Sequence, residues 1–316
     1  MKVKRSDLAK DLRLAGDFYR LTTPMTRLDH KENPSFNWLH KTNECTTELI
    51  RSDGSKMRLL VSIPKNKTNR KCPVVLWLHG GGYAGGFPEM IRMSVGKELL
   101  DSCIVISPDY ALSCEHPYPA ALFDAYRSLI WLKDHAEELG GRSDQIFVGG
   151  ESSGGGLTVA LCLLARDLGT VNIACQMPIY PMLDDRMKTE SMKDNNAPIW
   201  NEELNRKAWA QYLAGQKIIT EYAAPARAKD YRNLPLAISF VGSVDPFYDE
   251  TLIYMHHLKQ AGVPVHYLKV PGAFHAFDMV APLSKEAKAA RKFFQSQVKY
   301  AIHHYFAPQS ESESET

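Results

Sequence analysis

One stretch of the chain has the residue types and spacing for nucleophilic chemistry. Gly150-Glu151-Ser152-Ser153-Gly154 fits Gly-x-Ser-x-Gly, follows the apolar run Ile146-Phe147-Val148 and opens a helical pattern at Leu157. A serine at a strand-to-helix turn has a strained backbone that lifts its hydroxyl out of the sheet, and the flanking glycines permit the reversal. The following helix N-terminus aims free N–H groups at negative charge forming there. Stripped of that context, the same five residues would be an ordinary glycine-rich turn.

A second stretch supplies what an attacked carbonyl needs. His79-Gly80-Gly81-Gly82-Tyr83 follows the apolar run 74–78. Three consecutive glycines let the backbone approach a substrate oxygen and point N–H groups at it, the pattern of an oxyanion loop. A phosphate-binding turn fits less well, because no Gly-x-Gly-x-x-Gly spacing and no following Lys-Ser/Thr is present. His79 precedes the loop and is expected to brace it, with Gly80, rather than to react.

A hydroxyl nucleophile needs a base, and the base needs an orienting acid. Asp245, in Gly242-Ser243-Val244-Asp245-Pro246, and His275, in Ala273-Phe274-His275-Ala276-Phe277, each follow an apolar run and come in the order Ser, Asp, His. Carboxyl ends of parallel strands are where such sheets place their sites. Asp184 and Asp185, after another run, stay open as alternatives for the acid. Asp249 and Glu250 begin a helical pattern and are expected to cap it. His116 reads as a loop residue between Glu115 and Pro117, while His256-His257 and His303-His304 read as surface or packing residues on late helices. No carboxylate–histidine group has metal-ligand spacing, so no metal site and no cofactor is expected.

The elements that must position these residues are legible as texture. Apolar runs at 74–78, 103–107, 145–149, 173–180, 236–241 and 265–270 look like strands covered on both faces. Helical patterns lie at 119–139, 154–168, 248–262 and 284–306, so strands and helices alternate and a mostly parallel sheet with right-handed crossovers follows. Before them, 45–51 and 57–64 flank Asp53-Gly54 as a hairpin, an antiparallel pair at a sheet edge. Residues 8–19 read as a helix, followed by a looser segment punctuated by Pro24 and Pro34. The stretch 184–215 interrupts the alternation as a helical excursion over the sheet, and the acidic end, 310–316, lacks the apolar residues to fold.

Composition agrees with a globular catalyst. In 316 residues, 38 Lys and Arg against 36 Asp and Glu leave a charge of +2, too small to drive the chain to nucleic acid or an anionic membrane. The longest charge-free, mostly apolar stretch, 154–165, is too short to span a bilayer. Lys10, Asp11 and Arg13 interrupt any signal-peptide core, which argues against export by the general route. Six scattered cysteines with no Cys-x-x-Cys read as buried free thiols in a reducing cytoplasm.

The chain resembles the hormone-sensitive-lipase-like carboxylesterase family of the α/β-hydrolase fold over roughly residues 70–300. The resemblance rests on His79-Gly80-Gly81-Gly82, Pro108-Asp109-Tyr110, Glu115-His116-Pro117-Tyr118-Pro119-Ala120, Gly150-Glu151-Ser152-Ser153-Gly154, Tyr180-Pro181-Met182-Leu183-Asp184, Asp245-Pro246 with Asp249-Glu250, and His275-Ala276-Phe277. It implies Ser152 as nucleophile, His275 as base, Asp245 as its acid, and the backbone of Gly81, Gly82 and Ser153 as oxyanion hole. Ser153 stands where the family usually has Ala, a change tolerated by a site that uses only the backbone N–H. The resemblance also implies a core in two parts (45–183 and 216–307), an N-terminal helical cap segment (1–44) and a cap insertion (184–215), while the composition of the acidic end makes 308–316 an expected disordered tail. Phe18, Tyr19, Phe36, Trp38, Trp200, Trp209 and Tyr212 are then either wall or packing.

The expected partner is a small-molecule ester with a short acyl chain, with no nucleic acid, no membrane span, and a homodimer open beside a monomer. An amidase or formamidase and a carbohydrate deacetylase share the triad and stay open as alternatives. A non-catalytic receptor on the same fold, as in the plant gibberellin receptors that resemble this family, would lack His275.

Overall fold

A computed structural model of the chain describes residues 1–22, 42–51, 53–65 and 71–309. Pro24, Pro34, Phe36, Trp38 and the acidic end 310–316 lie outside them. Eight strands form one sheet: β1 (Thr42–Ile50), β2 (Lys56–Pro64), β3 (Cys72–Leu78), β4 (Ile104–Pro108), β5 (Gly141–Glu151), β6 (Cys175–Ile179), β7 (Leu236–Gly242) and β8 (Val265–Val270), in the spatial order β1-β2-β4-β3-β5-β6-β7-β8. β1 and β2 are the expected hairpin, with β1 at the edge, and β2 also pairs antiparallel with β4. From β4 to β8 every neighbouring pair is parallel.

The helices are α1 (Arg13–Thr22), α2 (Ala120–His135), α3 (Ser153–Leu168), α4 (Glu202–Tyr212), α5 (Tyr248–Gln260), the single turn α6 (Phe277–Val280) and α7 (Lys285–His304). Strand alternation divides the core between two layers. Val74, Leu76 and Leu78 of β3 pack with Leu129 of α2 and Leu161 of α3, whereas Val75 and Trp77 of the same strand pack with Phe294 of α7. A sheet buried on both faces needs apolar side chains at successive positions, which is why the runs read as continuous.

Three sequence expectations are corrected. Phe18 of α1, expected as wall or packing, points outward and is exposed. Of the six thiols, all free, Cys103, Cys162 and Cys175 are buried, but Cys45 and Cys114 are exposed. Pro308 and Gln309, assigned to the tail, are tied to Asn172 by hydrogen bonds of 2.6 and 2.9 Å. Between β6 and β7 the chain makes one helix of more than one turn, α4, among turns and bends that continue past Gly215.

Candidate active site

Every predicted reacting group stands at the carboxyl end of a parallel strand. Ser152 joins β5 to α3 with φ 58° and ψ −121°, a conformation that an L-residue holds only under constraint. The constraint is visible. Its N–H donates to Ile179 O (3.0 Å), and its carbonyl accepts from Gly156 N and Met182 N (3.0 Å each). The turn also presses against β3, because a Cβ at Gly154 would lie 2.1 Å from Leu78 O. Only glycine fits there.

His275 follows β8 and Asp245 follows β7. Their loops are stitched together by Ser243 N to Val270 O (2.9 Å), Val244 N to Ala273 O (3.1 Å) and Gly272 N to Ser243 Oγ (2.8 Å). His275 Nε2 stands 2.9 Å from Ser152 Oγ, and His275 Nδ1 stands 2.8 Å from Asp245 Oδ2. The second carboxylate oxygen, Asp245 Oδ1, accepts from Phe247 N at 2.8 Å. All three side chains are buried. The imidazole makes edge-to-face contacts with the rings of Tyr180 and Phe247, at centroid distances of 4.9 and 5.1 Å, which fix its plane.

The glycine loop leaves β3 beside this line. Gly81, with φ 125°, accepts Ala84 N and Gly85 N on its carbonyl (3.1 and 3.0 Å). The N–H groups of Gly81 and Gly82 donate to no protein acceptor among the described residues, and Ser153, as the first residue of α3, has no intrahelical acceptor for its own. His79 does not reach the triad. Its ring stacks on Tyr110 at 4.1 Å, its Nδ1 lies 2.9 Å from Gly80 O, and the Tyr110 hydroxyl donates to His79 O at 2.6 Å.

The alternatives lie elsewhere. Asp184 pairs with Arg186 (2.6 Å) and Asp185 with Arg227 (2.7 Å). Asp249 and Glu250 sit in the first turn of α5 without capping it. Instead Asp249 Oδ2 accepts from Ser191 N (2.8 Å), and Glu250 Oε2 accepts from Leu183 N and Asp184 N (2.8 and 3.0 Å). They fasten the segment after β6. His257 stacks on Tyr231 at 5.0 Å, and His116, His256, His303 and His304 are exposed.

Sequence reasoning missed a pair of buried carboxyls behind the triad. Glu151 and Asp278 each hold one oxygen against a donor, Gly80 N at 3.4 Å and Tyr180 Oη at 2.8 Å, and each leaves its other oxygen buried without a hydrogen bond. Burial pushes the Glu151 carboxyl up to about 8, with Asp278 as the largest charge acting in the same direction. Burial likewise raises Asp278. Glu151 is only the variable position of its motif in the sequence; its place at the end of a strand, after Ile146-Phe147-Val148 and two glycines, was the available signal.

That carboxyl makes stability depend on pH. Glu151 binds its proton more tightly in the folded protein than in the unfolded chain, so its contribution is full below the ordinary carboxyl range and is lost as pH rises through about 8. Glu151→Gln keeps an oxygen for Gly80 N and removes the titration. Its melting temperature is expected to fall less than that of the wild type between pH 5.5 and 8.5, by an amount corresponding to a few kcal/mol. Equal slopes in thermal unfolding at the two pH values would remove Glu151 as the cause.

With hydroxyl, imidazole, carboxylate and free N–H groups in one line, the comparisons with known proteins are decisive. The profile of the alpha/beta hydrolase fold family matches residues 75–279. The chain belongs to this family. The hydrolase is 33% identical over 225 residues to carboxylesterase NlhH of Mycobacterium tuberculosis, covering 68% of this chain and 70% of the relative. It is 31% identical over 239 residues to the arylesterase of Saccharolobus solfataricus, covering 72% and 75%. Among solved structures, a bacterial heroin esterase superposes with a TM-score of 0.79 at 31% identity, over 96% of the hydrolase and 94% of its own chain.

Proposed function

We infer that this hydrolase is a carboxylesterase that cleaves small esters with short acyl chains through an acyl-enzyme on Ser152. The observation that supports the reading best is the unbroken line Oγ···Nε2 (2.9 Å) and Nδ1···Oδ2 (2.8 Å) beside a glycine loop with free N–H groups. His275 Nε2 takes the proton of Ser152 Oγ as that oxygen bonds to the ester carbon, and the carbonyl electrons move onto an oxyanion facing Gly81, Gly82 and Ser153. Collapse of this intermediate breaks the bond to the alcohol oxygen, which leaves with the proton from Nε2. Water then attacks the acyl group, gives a proton to Nε2, and the second collapse returns that proton to Oγ as the acid departs. Asp245 Oδ2 holds Nδ1 protonated throughout and stabilises the imidazolium between the two transfers.

Residues 184–215, with the N-terminal segment 1–44, are proposed as a cap over the core formed by 45–183 and 216–307. Trp200, Trp209 and Tyr212 are buried within this arrangement. No helix among the described residues is long and apolar enough to cross a membrane. A cytoplasmic location, supported by the six free thiols, belongs to the same proposal. So does a homodimer, for which the outer edges of β1 and β8, unpaired among the described residues, offer strand surfaces.

Rates on p-nitrophenyl esters from acetyl to dodecanoyl test the substrate class. A maximum at acetyl to butanoyl is expected, and a maximum at long chains would refute it. Faster turnover of matched anilides than of the esters would move the assignment to an amidase.

A further inference from the structure

Trp200 touches the glycine loop itself. A Cβ placed on Gly82 would lie 2.5 Å from Trp200 Cη2, so the edge of the indole lies directly on the backbone of that loop. The indole is held there. Its Nε1–H donates to Asn205 Oδ1 at 3.1 Å, and Asn205 is itself fully buried. The residue before it, Ile199, has φ 69°, where a β-branched side chain is a conformational outlier that surrounding contacts must enforce.

The segment carrying Trp200 is bolted to the loop of the acid. Ser191 Oγ donates to Pro246 O (2.9 Å) and accepts from Asp249 N (3.1 Å). Asn195, also buried, donates to Ser191 O at 2.7 Å and receives Ala197 N at 2.8 Å. Trp200 is therefore a fixed wall with respect to Asp245 and His275, its ring centroid 6.3 Å from the imidazole.

Resting on the esterase reading above, we propose that Trp200 sets the length of the acyl chain this hydrolase accepts. In the tetrahedral intermediate the alcohol oxygen must lie within hydrogen-bonding reach of His275 Nε2, and the oxyanion must lie among the glycine N–H groups. The remaining substituent, the acyl carbon, is then left to run along the loop, where Gly82 meets the indole. A rigid aromatic wall at that point limits the length of the chain, and each excess methylene costs about 10-fold or more in kcat/KM.

The test compares wild type, Trp200→Ala and Trp200→Phe on p-nitrophenyl esters of rising acyl length and on alkyl acetates of rising alcohol length. Trp200→Phe keeps an aromatic ring in the core, and thermal unfolding confirms that each variant is folded. The expected result for Trp200→Ala is a rise of about 10-fold or more in the octanoyl-to-acetyl ratio of kcat/KM, an intermediate rise for Trp200→Phe, and an unchanged ratio across the alkyl acetates. An unchanged acyl profile in folded variants, or a shift confined to the alcohol series, would overturn the assignment of Trp200 while leaving the esterase reading intact. A wild-type protein that hydrolyses no ester of either series overturns both.

Discussion

Replacing Ser152 with alanine is expected to lower kcat/KM for p-nitrophenyl acetate by about 10⁴–10⁶-fold while leaving the melting temperature nearly unchanged. The size follows from the chemistry. Without Oγ there is no covalent intermediate, and the N–H groups of the glycine loop can only stabilise attack by water, which leaves a small residual rate. The fold should tolerate the change because Ser152 is anchored by its backbone, through Ile179 O, Gly156 N and Met182 N, rather than by its side chain. Steady-state kinetics on the purified variant, with circular dichroism as a check of folding, decides the matter. Substantial residual turnover in a folded variant would remove Ser152 from the mechanism.

Asp245→Asn carries the second largest effect, a loss of about 10⁴-fold in turnover. The surroundings of the carboxylate explain why an isosteric change is so damaging. Phe247 N donates to Oδ1, so an asparagine keeps its oxygen there and turns its amide nitrogen toward His275 Nδ1. That nitrogen is a donor, so Nδ1 must become the acceptor, and the ring proton moves to Nε2, facing Ser152 Oγ. A ring protonated there cannot take the serine proton. Flipping the amide sets two donors, Nδ2–H and Phe247 N–H, against each other. Should Asp184→Asn reduce turnover as strongly as Asp245→Asn, this division of roles would fail, since Asp184 is engaged with Arg186.

The strands were legible because a sheet covered on both faces forces consecutive apolar residues, as in β3 to β7. The sixth run also became a strand, but β8 lies at the sheet edge and only its Val270 is buried, which corrects the expectation that both its faces are covered. Their lateral order was not legible, because crossover connections leave no local mark. The residues at strand ends could be placed for the same reason as the strands. Ser152, Asp245 and His275 each follow an apolar run, and a mostly parallel sheet puts those ends on one edge. What escaped depends on contacts between distant segments. Asp249 and Glu250 look like helix caps when only their own helix is considered, yet their oxygens serve the backbone of Leu183, Asp184 and Ser191. Glu151 and Asp278 become a pair only once β5 and α6 meet. Phe18 shows the opposite failure, an apolar residue in a helical pattern that the fold leaves exposed.

The most direct test of the central claim is reaction of the wild-type protein with a p-nitrophenyl alkylphosphonate, followed by mass-spectrometric location of the adduct. The phosphonyl group mimics the tetrahedral intermediate and forms a stable bond only with an activated nucleophile held beside oxyanion donors. The expected result is one phosphonyl group per chain on Ser152, full loss of ester hydrolysis in step with labelling, and no adduct in Ser152→Ala. Labelling of a different residue, or hydrolysis that persists after Ser152 is fully modified, would contradict the assignment of Ser152 as the nucleophile.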